Sequence, residues 1–254
     1  MRARCWLSSR LLVSVRHVVS LLIAVLLLPA AAHSQTYVAG PVAGVWTTAG
    51  SPYVATDTLD VLAGESLVIE AGVEVLFNGA WPLLVHGTLE AAGAEGDSVT
   101  FAPVLAAATW QGIRFFDAGS GSSLRYCTLR SAFLDGNTPD AACGAAIFSA
   151  SSSPLIAHCS ISDCRVQDST GLDGHGGGAI FCTGGSPTIV SNRVVGCRAF
   201  SSCVGGGGAI CVFESEVTIA DNFIQDCSAH GGGGGICGDA SQVDVSRSRG
   251  KPAC

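Results

Sequence analysis

Three segments of twenty residues align with one another without a gap. They are residues 145–164, 178–197 and 208–227, and a fourth copy begins at 234 and breaks off by 248. The starts of the four copies are 33, 30 and 26 residues apart, and self-similarity at such periods is typical of a chain that stacks one small structural unit. We therefore expect a repeat fold in which each unit buries its apolar side chains against its neighbours.

Each repeat consists of short apolar runs separated by turn residues. In the second copy the runs are Ala179–Cys182, Thr188–Ser191 and Arg193–Val195, with Gly, Ser, Pro and Asn between them. Runs of three to five residues bounded by such turn formers are typical of strands and leave no length for a helix. The sequence predicts an all-β fold, a single-stranded parallel β-helix that forms a solenoid of three-strand coils.

Apolar residues recur at three equivalent positions of the repeats, which predicts one buried column for each strand. The first column is Ile147, Ile180, Ile210 and Ile236; the second is Ile156, Ile189, Ile219 and Val245; the third is Ile161, Val194 and Ile224. Ile113, Leu124 and Leu129 fit the same three roles in an earlier coil. Equivalent residues of neighbouring coils are expected about 4.8 Å apart, the spacing of paired strands.

Asparagine and cysteine also recur in columns. Asn192 and Asn222 share one corner, and stacked Asn side chains suit a strained turn and hydrogen-bond to their neighbours. The other columns are Cys127 with Cys159 at the Asn corner, Cys164 with Cys197 and Cys227, and Cys211 with Cys237. In-register cysteines come within the 4.4–6.8 Å Cα separation of a disulfide. They also suit a role as small apolar fillers, and the sequence leaves both interpretations open.

The first 34 residues predict an export signal. Four arginines precede the apolar run Val18–Leu28, and small residues follow, with cleavage expected before Gln35. Eleven apolar residues are too few for a membrane span, which needs about 20. Export together with eleven cysteines beyond the signal indicates an oxidising compartment.

Three further parts are predicted after the signal. Residues 35–56 are expected to cap the open end of the solenoid, and residues 57–248 to form the β-helix. Residues 249–254 lack the pattern of a third strand, so an irregular tail and a truncated chain are expected there.

The charge of the mature chain limits its partners. Beyond residue 34 there are 9 basic and 20 acidic residues, a net charge of −11. Such a surface repels phosphate backbones, so nucleic acid is not an expected partner. No later segment has the length and apolarity of a transmembrane helix.

Two groups of motifs carry a resemblance to known families. W-Q-G-I-R-F-F (110–116), S-S-L-R-Y-C-T-L (122–129) and the S-P-x-I pattern at 186–189 resemble secreted bacterial proteins with right-handed parallel β-helix repeats. This is the fold of pectate and pectin lyases. The repeated G-G-A-I (177–180 and 207–210) is similar to a motif of polymorphic outer-membrane proteins. The resemblance implies a right-handed coil and a protein that is secreted or displayed on the outer-membrane surface.

Candidates for chemistry are few. The candidate catalytic residues are Asp163, Asp226 and Arg193. A glycosidase needs two carboxylates, and a lyase needs carboxylates together with a basic residue. The two aspartates are expected two coils apart, and a role as solvated turn carboxylates is favoured over a catalytic one. Asp168 and Asp173 lie in a glycine-rich loop that is compatible with Ca²⁺ but lacks the alternate-residue ligands of an EF-hand. No other cofactor is predicted.

The sequence thus predicts a secreted or surface β-helix protein that serves as a structural, adhesive or carbohydrate-binding module rather than as an enzyme. An extracellular polysaccharide or a cell-surface molecule is the expected partner. The alternative is a polysaccharide lyase or glycoside hydrolase, because the fold alone does not specify a function.

Overall fold

The computed structural model of the chain describes residues 35–106, 108–135, 143–167, 176–200, 206–230, 233–239, 241–246 and 249–250. The predicted export signal lies outside these residues. The described chain is built from parallel strands stacked as a β-solenoid, which confirms the predicted fold class. A single turn of 3-10 helix, Thr48–Gly50, is the one helical element within the described ranges.

Residues 35–135 hold twelve of the strands. They are β1 (Thr36–Pro41), β2 (Gly44–Trp46), β3 (Tyr53–Val61), β4 (Ser66–Glu70), β5 (Glu74–Phe77), β6 (Leu83–Val85), β7 (Thr88–Ala92), β8 (Val99–Pro103), β9 (Ile113–Phe116), β10 (Ser123–Arg125), β11 (Cys127–Arg130) and β12 (Phe133–Leu134).

The later coils hold the remaining described strands. They are β13 (Ile147–Ala150), β14 (Leu155–Ala157), β15 (Ser160–Ser162), β16 (Arg165–Gln167), β17 (Ile180–Thr183), β18 (Thr188–Val190), β19 (Arg193–Val195), β20 (Arg198–Phe200), β21 (Ile210–Phe213), β22 (Glu216–Ala220), β23 (Phe223–Gln225), β24 (Ser228–Ala229), β25 (Ile236–Asp239), β26 (Gln242–Ser246) and β27 (Arg249–Gly250).

The strands stack into faces that run along the solenoid, and successive strands of one coil lie on successive faces. The first face contains β6, β9, β13, β17, β21 and β25, and the third contains β5, β8, β11, β15, β19, β23 and β27. The long strand β3 belongs to both, since its start pairs with β5 and its end with β6. The second face contains β2, β4, β7, β10, β14, β18, β22 and β26.

A fourth face of short strands was not predicted. It consists of β12, β16, β20 and β24, which pair in parallel at the end of four consecutive coils. Its inward residues are Leu134, Val166 and Ala199, all buried. The alignment of twenty residues stops just before these strands, so the sequence pattern gave only three strands for each coil.

Both ends of the predicted β-helix differ from the sequence-based expectation. Residues 36–41 form β1, which pairs in parallel with β3, and residues 44–46 form β2, which pairs with β4. The segment predicted as a cap is therefore the first coil of the solenoid. At the other end, where an irregular tail was expected, Arg249–Gly250 pairs with β23 as a third-face strand.

The strand register brings the apolar columns together. On the first face Ile113, Ile147, Ile180, Ile210 and Ile236 pair in succession. On the second face the succession is Leu124, Ile156, Ile189, Ile219 and Val245, and on the third it is Leu129, Ile161, Val194 and Ile224. The column residues up to Ile210, Ile219 and Ile224 belong to one continuous core, and Ile236 packs against it.

A smaller apolar cluster lies on the outer side of the first face. Phe148 pairs with Phe181, Phe181 with Cys211, and Cys211 with Cys237. The two phenylalanine rings stack with centroids 5.7 Å apart. This cluster adds apolar contact between coils outside the central core.

The G-G-A-I motif marks a place where consecutive coils approach closely. A Cβ on Gly178 would lie 2.2 Å from the carbonyl oxygen of Gly208, and one on Gly208 would lie 2.3 Å from that of Gly234. No real side chain tolerates such distances to backbone atoms, so glycine is required here for steric reasons. The repeated motif thus has a structural explanation in the fold.

Among the residues that the structure describes, no helix has the length and apolarity needed to cross a membrane.

Candidate functional site

Two corners of the solenoid repeat the same backbone conformation in four successive coils. At the corner between the second and third faces, Tyr126, His158, Ser191 and Asp221 have φ of 48°, 55°, 56° and 54°. At the corner between the third and fourth faces, Ser131, Asp163, Gly196 and Asp226 have φ of 58°, 55°, 67° and 54°. This left-handed conformation is best tolerated by Gly, Asn and Asp. The chain therefore turns sharply at each corner, and the next side chain points inward.

The inward residues of the first corner form a hydrogen-bonded ladder. The backbone N–H of Cys159 donates to Oδ1 of Asn192 at 2.9 Å, and the backbone N–H of Asn192 donates to Oδ1 of Asn222 at 2.9 Å. Nδ2 of Asn192 donates to the carbonyl of Ile156 at 2.9 Å. The Asn column therefore joins successive coils, and both asparagines are buried.

The cysteines occupy the same inward position as the asparagines. The thiol of Cys159 donates to the carbonyl of Ala157 at 3.3 Å and is oriented toward that of Leu124 at 3.4 Å. At the second corner the thiol of Cys164 donates to the carbonyl of Ser162 at 3.2 Å. Cysteine thus replaces the amide donor of Asn at a corner, a role that neither sequence-based interpretation included. Cys127, Cys159, Cys164, Cys182, Cys197 and Cys227 are thiols in this structure.

Interaction between stacked thiols shifts their pKa values. Hydrogen bonding with the Cys164 thiol and burial together raise the pKa of Cys197 well above its usual value. Hydrogen bonding with Cys197, again with burial, raises the pKa of Cys227. Burial raises the pKa of Cys182 to about 12. A thiolate is the nucleophilic form of cysteine, so these thiols are not activated nucleophiles.

Asp163 and Asp226 lie at the second corner, in one column with Gly196 between them. Asp163 N–H donates to the carbonyl of Val195 at 3.1 Å, and Gly196 N–H donates to that of Gln225 at 3.0 Å. Oδ2 of Asp226 accepts a hydrogen bond from Nε2 of Gln225 at 2.9 Å. The left-handed backbone accounts for Asp or Gly at all three positions, because these residues adopt it at little cost.

Arg193, the third catalytic candidate, lies in a shallow groove on the third face. The groove has a volume of about 450 Å³ and is lined by Glu95, Tyr126, His158, Cys159, Ser160, Ser191 and Arg193. The rings of Tyr126 and His158 stack with centroids 4.7 Å apart. Neither Asp163 nor Asp226 lines this groove, so the structure does not gather the three candidates there.

Arginines and phenylalanines lie close together in two places, one on the fourth face and one on the third, and we call this set the Arg–Phe surface. Its members are Phe133, Arg165, Arg198 and Phe200 on the fourth face and Arg193 and Phe223 on the third. The guanidinium of Arg165 lies 5.5 Å from the ring centre of Phe133 and 5.6 Å from that of Phe200. The guanidinium of Arg193 lies 4.9 Å from the ring centre of Phe223.

The charges of this surface are not neutralised by carboxylates. Across the described residues the one ion pair is His86 with Asp60, at 2.9 Å. Arg165 pairs in register with Arg198, so two like charges lie on adjacent strands. Phe200 and Phe223 are each 40% exposed. Exposed guanidinium groups that form no ion pair among the described residues, together with aromatic rings, are suited to a ligand with anionic groups and flat apolar surfaces.

The metal candidates Asp168 and Asp173 lie outside the described residues. Within the described ranges, no group of three or more His, Cys, Asp or Glu side chains is placed to hold a metal ion.

Most residues of the Arg–Phe surface and of the groove were not predicted from the sequence, although the sequence contains a signal for some of them. Arg165 and Arg198 stand directly after the twenty aligned residues of the first two repeats, and Arg193 and Phe223 hold the same position in consecutive repeats. An alignment that is one residue longer places Arg165 and Arg198 at the same position of consecutive repeats. Tyr126, Phe133 and Phe200 stand outside any recurring pattern and were visible only in three dimensions.

Comparison with models of known protein families gives no match, and no curated protein or solved structure matches the chain.

Proposed function

We propose that the protein is a secreted or cell-surface, non-catalytic module that binds an acidic polysaccharide along its Arg–Phe surface. The observation that carries the proposal is the set of exposed arginines that form no ion pair among the described residues and lie close to phenylalanine rings, of which Phe200 and Phe223 are exposed. Uronate carboxylates accept paired hydrogen bonds from guanidinium groups, and the apolar face of a sugar ring packs on an aromatic ring.

The geometry of the solenoid supports an extended ligand. Arg165 and Arg198 occupy adjacent strands, whose spacing of about 4.8 Å is comparable to the length of one sugar unit. Phe133 lies one strand before Arg165 and Phe200 at the end of the strand that contains Arg198. A polysaccharide laid along the solenoid axis would therefore meet a cation or a ring at several successive units.

The overall negative charge of the chain does not oppose this binding at close range. Charges farther apart than about 8 Å are largely screened at physiological ionic strength. Arg165 and Arg193 lie over phenylalanine rings, and neither forms an ion pair within the described residues. Binding should consequently be local to the Arg–Phe surface and should weaken as salt is added.

Titration of the full chain with polygalacturonate, and with neutral dextran as comparison, tests the proposal. We expect binding to polygalacturonate only, reduced at least about tenfold when Arg165→Gln and Arg198→Gln are combined, since two charge-assisted contacts are lost. Arg125→Gln is the matched control, because Arg125 is exposed on the second face and does not belong to the Arg–Phe surface. Phe200→Ala should weaken binding as well, whereas Tyr37→Ala, at an exposed site on β1, should not.

Equal affinity of the double arginine variant and the wild type would contradict the proposal. The same mixtures report on the enzymatic alternative. Release of unsaturated uronate products in the presence of Ca²⁺, lost in Asp163→Asn or Asp226→Asn, would replace binding by lyase activity as the function. We expect no such products and no effect of either aspartate substitution on affinity.

A further inference from the structure

Three buried cysteines form a straight column along the second corner of the solenoid. Cys164, Cys197 and Cys227 each follow the left-handed corner residue of their coil. The backbone confirms their register, since Arg198 N–H donates to the carbonyl of Cys164 at 2.9 Å and Ser228 N–H to that of Cys197 at 3.0 Å. Their side chains are 0%, 0% and 3% exposed.

The middle cysteine contacts both of its neighbours. The thiols of Cys164 and Cys227 both interact with that of Cys197, and they shift its pKa in opposite directions, Cys164 upward and Cys227 downward. Residues on adjacent strands lie about 4.8 Å apart, inside the Cα separation of roughly 4.4–6.8 Å that a disulfide requires. Cys164 and Cys227 are two strand spacings apart, about 10 Å, which is too far for a direct bond.

From this arrangement we infer that the column is a site of thiol–disulfide exchange in which Cys197 bonds to either Cys164 or Cys227. Once oxidised, the column holds one disulfide and one thiol. The two disulfides exclude each other because both use the same sulfur.

The reaction that forms the bridge requires an oxidant, for which a low-molecular-weight disulfide such as oxidised glutathione suffices. One cysteine thiolate attacks a sulfur of the small disulfide, forming a mixed disulfide and releasing one thiol. A neighbouring cysteine then attacks the mixed disulfide and releases the second thiol. Two protein thiols and one small disulfide thus yield one protein disulfide and two small thiols.

Exchange between the two bridges needs no further oxidant. The remaining thiol, for example that of Cys164, attacks the Cys197 sulfur of a Cys197–Cys227 bridge. The new bond joins Cys164 to Cys197, and Cys227 leaves as a thiolate that takes up the proton lost by Cys164. Burial of all three residues, together with the raised pKa values of Cys197 and Cys227, predicts that both steps are slow near neutral pH and faster at higher pH.

Peptide mapping of the full chain tests the inference. The folded protein is incubated with oxidised glutathione, denatured, alkylated and cut with trypsin, which releases Cys197 alone in the five-residue peptide Val194–Arg198. We expect this peptide linked to residues 131–165 in one population and to residues 199–247 in another. A second protease that cuts before aspartate separates Cys164 from Cys159 and Cys227 from Cys211.

Three matched variants identify the partners. Cys164→Ala should leave only the link to Cys227, Cys227→Ala only the link to Cys164, and Cys197→Ala neither. Recovery of the Val194–Arg198 peptide solely in alkylated, unlinked form from oxidised wild type would overturn the inference. So would a Cys164–Cys227 link in the Cys197→Ala variant. The wild-type digest decides the question even if a variant fails to fold.

Discussion

The coils of residues 35–135 and those of residues 143–230 solve the same packing problem with different side chains. The earlier coils fill the interior with large rings, among which Trp110 stacks on Phe77 at 4.6 Å and lies 6.3 Å from Phe101. In the later coils the buried interior contains Ile, Val, Ala and Cys and no aromatic ring. The later coils add the Asn and Cys ladders, to which the earlier coils contribute only Cys127.

The difference shows two ways to hold a solenoid together. In the earlier coils, large aromatic rings fill an interior whose cross-section differs from coil to coil. Columns of identical isoleucines require coils of nearly the same cross-section. Glycine at the close approaches and hydrogen-bonding residues at the corners keep this cross-section constant. The repeat visible in the sequence is the consequence of this second solution.

The largest effect is expected in the earlier coils. Trp110→Ala should lower the free energy of unfolding by about 4 kcal/mol, because a fully buried indole is lost and a cavity remains between two rings. The substitution also removes the hydrogen bond from Nε1 to the carbonyl of Arg130, 2.9 Å long. Denaturant unfolding followed by circular dichroism measures the change. Tyr37→Ala, at a side chain that is 66% exposed, is the control and should change stability by less than about 0.5 kcal/mol.

The next effect tests the steric requirement of the later coils. Gly178→Ala should lower the free energy of unfolding by about 3 kcal/mol, the upper part of the range for overpacking, because the added methyl group meets backbone atoms. Gly121→Ala is the matched control, since its Cβ would make only ordinary contact, at 3.6 Å, with Thr88. Equal stability of the two variants would contradict the prediction, because it would show that the position of Gly178 accommodates a side chain.

The Asn ladder is expected to contribute somewhat less. Asn192→Ala should cost about 2 kcal/mol, because the N–H of Cys159 and the carbonyl of Ile156 lose their buried partner. Asn192→Cys, which copies the residue of the two preceding coils, should cost about half as much, since a thiol still donates at the corner. If the two variants are destabilised equally, cysteine and asparagine do not share a role at this corner.

The smallest effect concerns the pH dependence of stability. Burial raises the pKa of Cys182 from 9.0 to about 12 in the folded protein. The unfolded chain then ionises this thiol first, so stability that is fully present below pH 9 falls as the pH rises toward 12. The slope for one such thiol is at most about 1.4 kcal/mol per pH unit. Unfolding of the wild type and of Cys182→Ala between pH 8 and about 10.5 measures it, and a slope unchanged in the variant would contradict the assignment.

The repeat made most of the fold predictable. The recurrence of isoleucine at three positions specifies three strands per coil and their inward side chains, and the register of the structure places Ile147, Ile180 and Ile210 in one column. The fourth face was not predictable in this way, because its strands are two or three residues long and the sequences that follow them differ from coil to coil. The groove was not predictable either, since Glu95, Tyr126 and Arg193 come from three different coils and have no common motif.

The sequence by itself determined the class of fold, because a periodic pattern of apolar residues and turns is compatible with only one kind of stacking. The tertiary structure decided which polar side chains meet. Outward-facing residues such as Arg165, Arg198 and Phe200 carry no burial pattern, so their proximity follows only from the register of the coils. The same register decided the role of cysteine, because a thiol at a left-handed corner has carbonyl groups within reach that the sequence does not reveal.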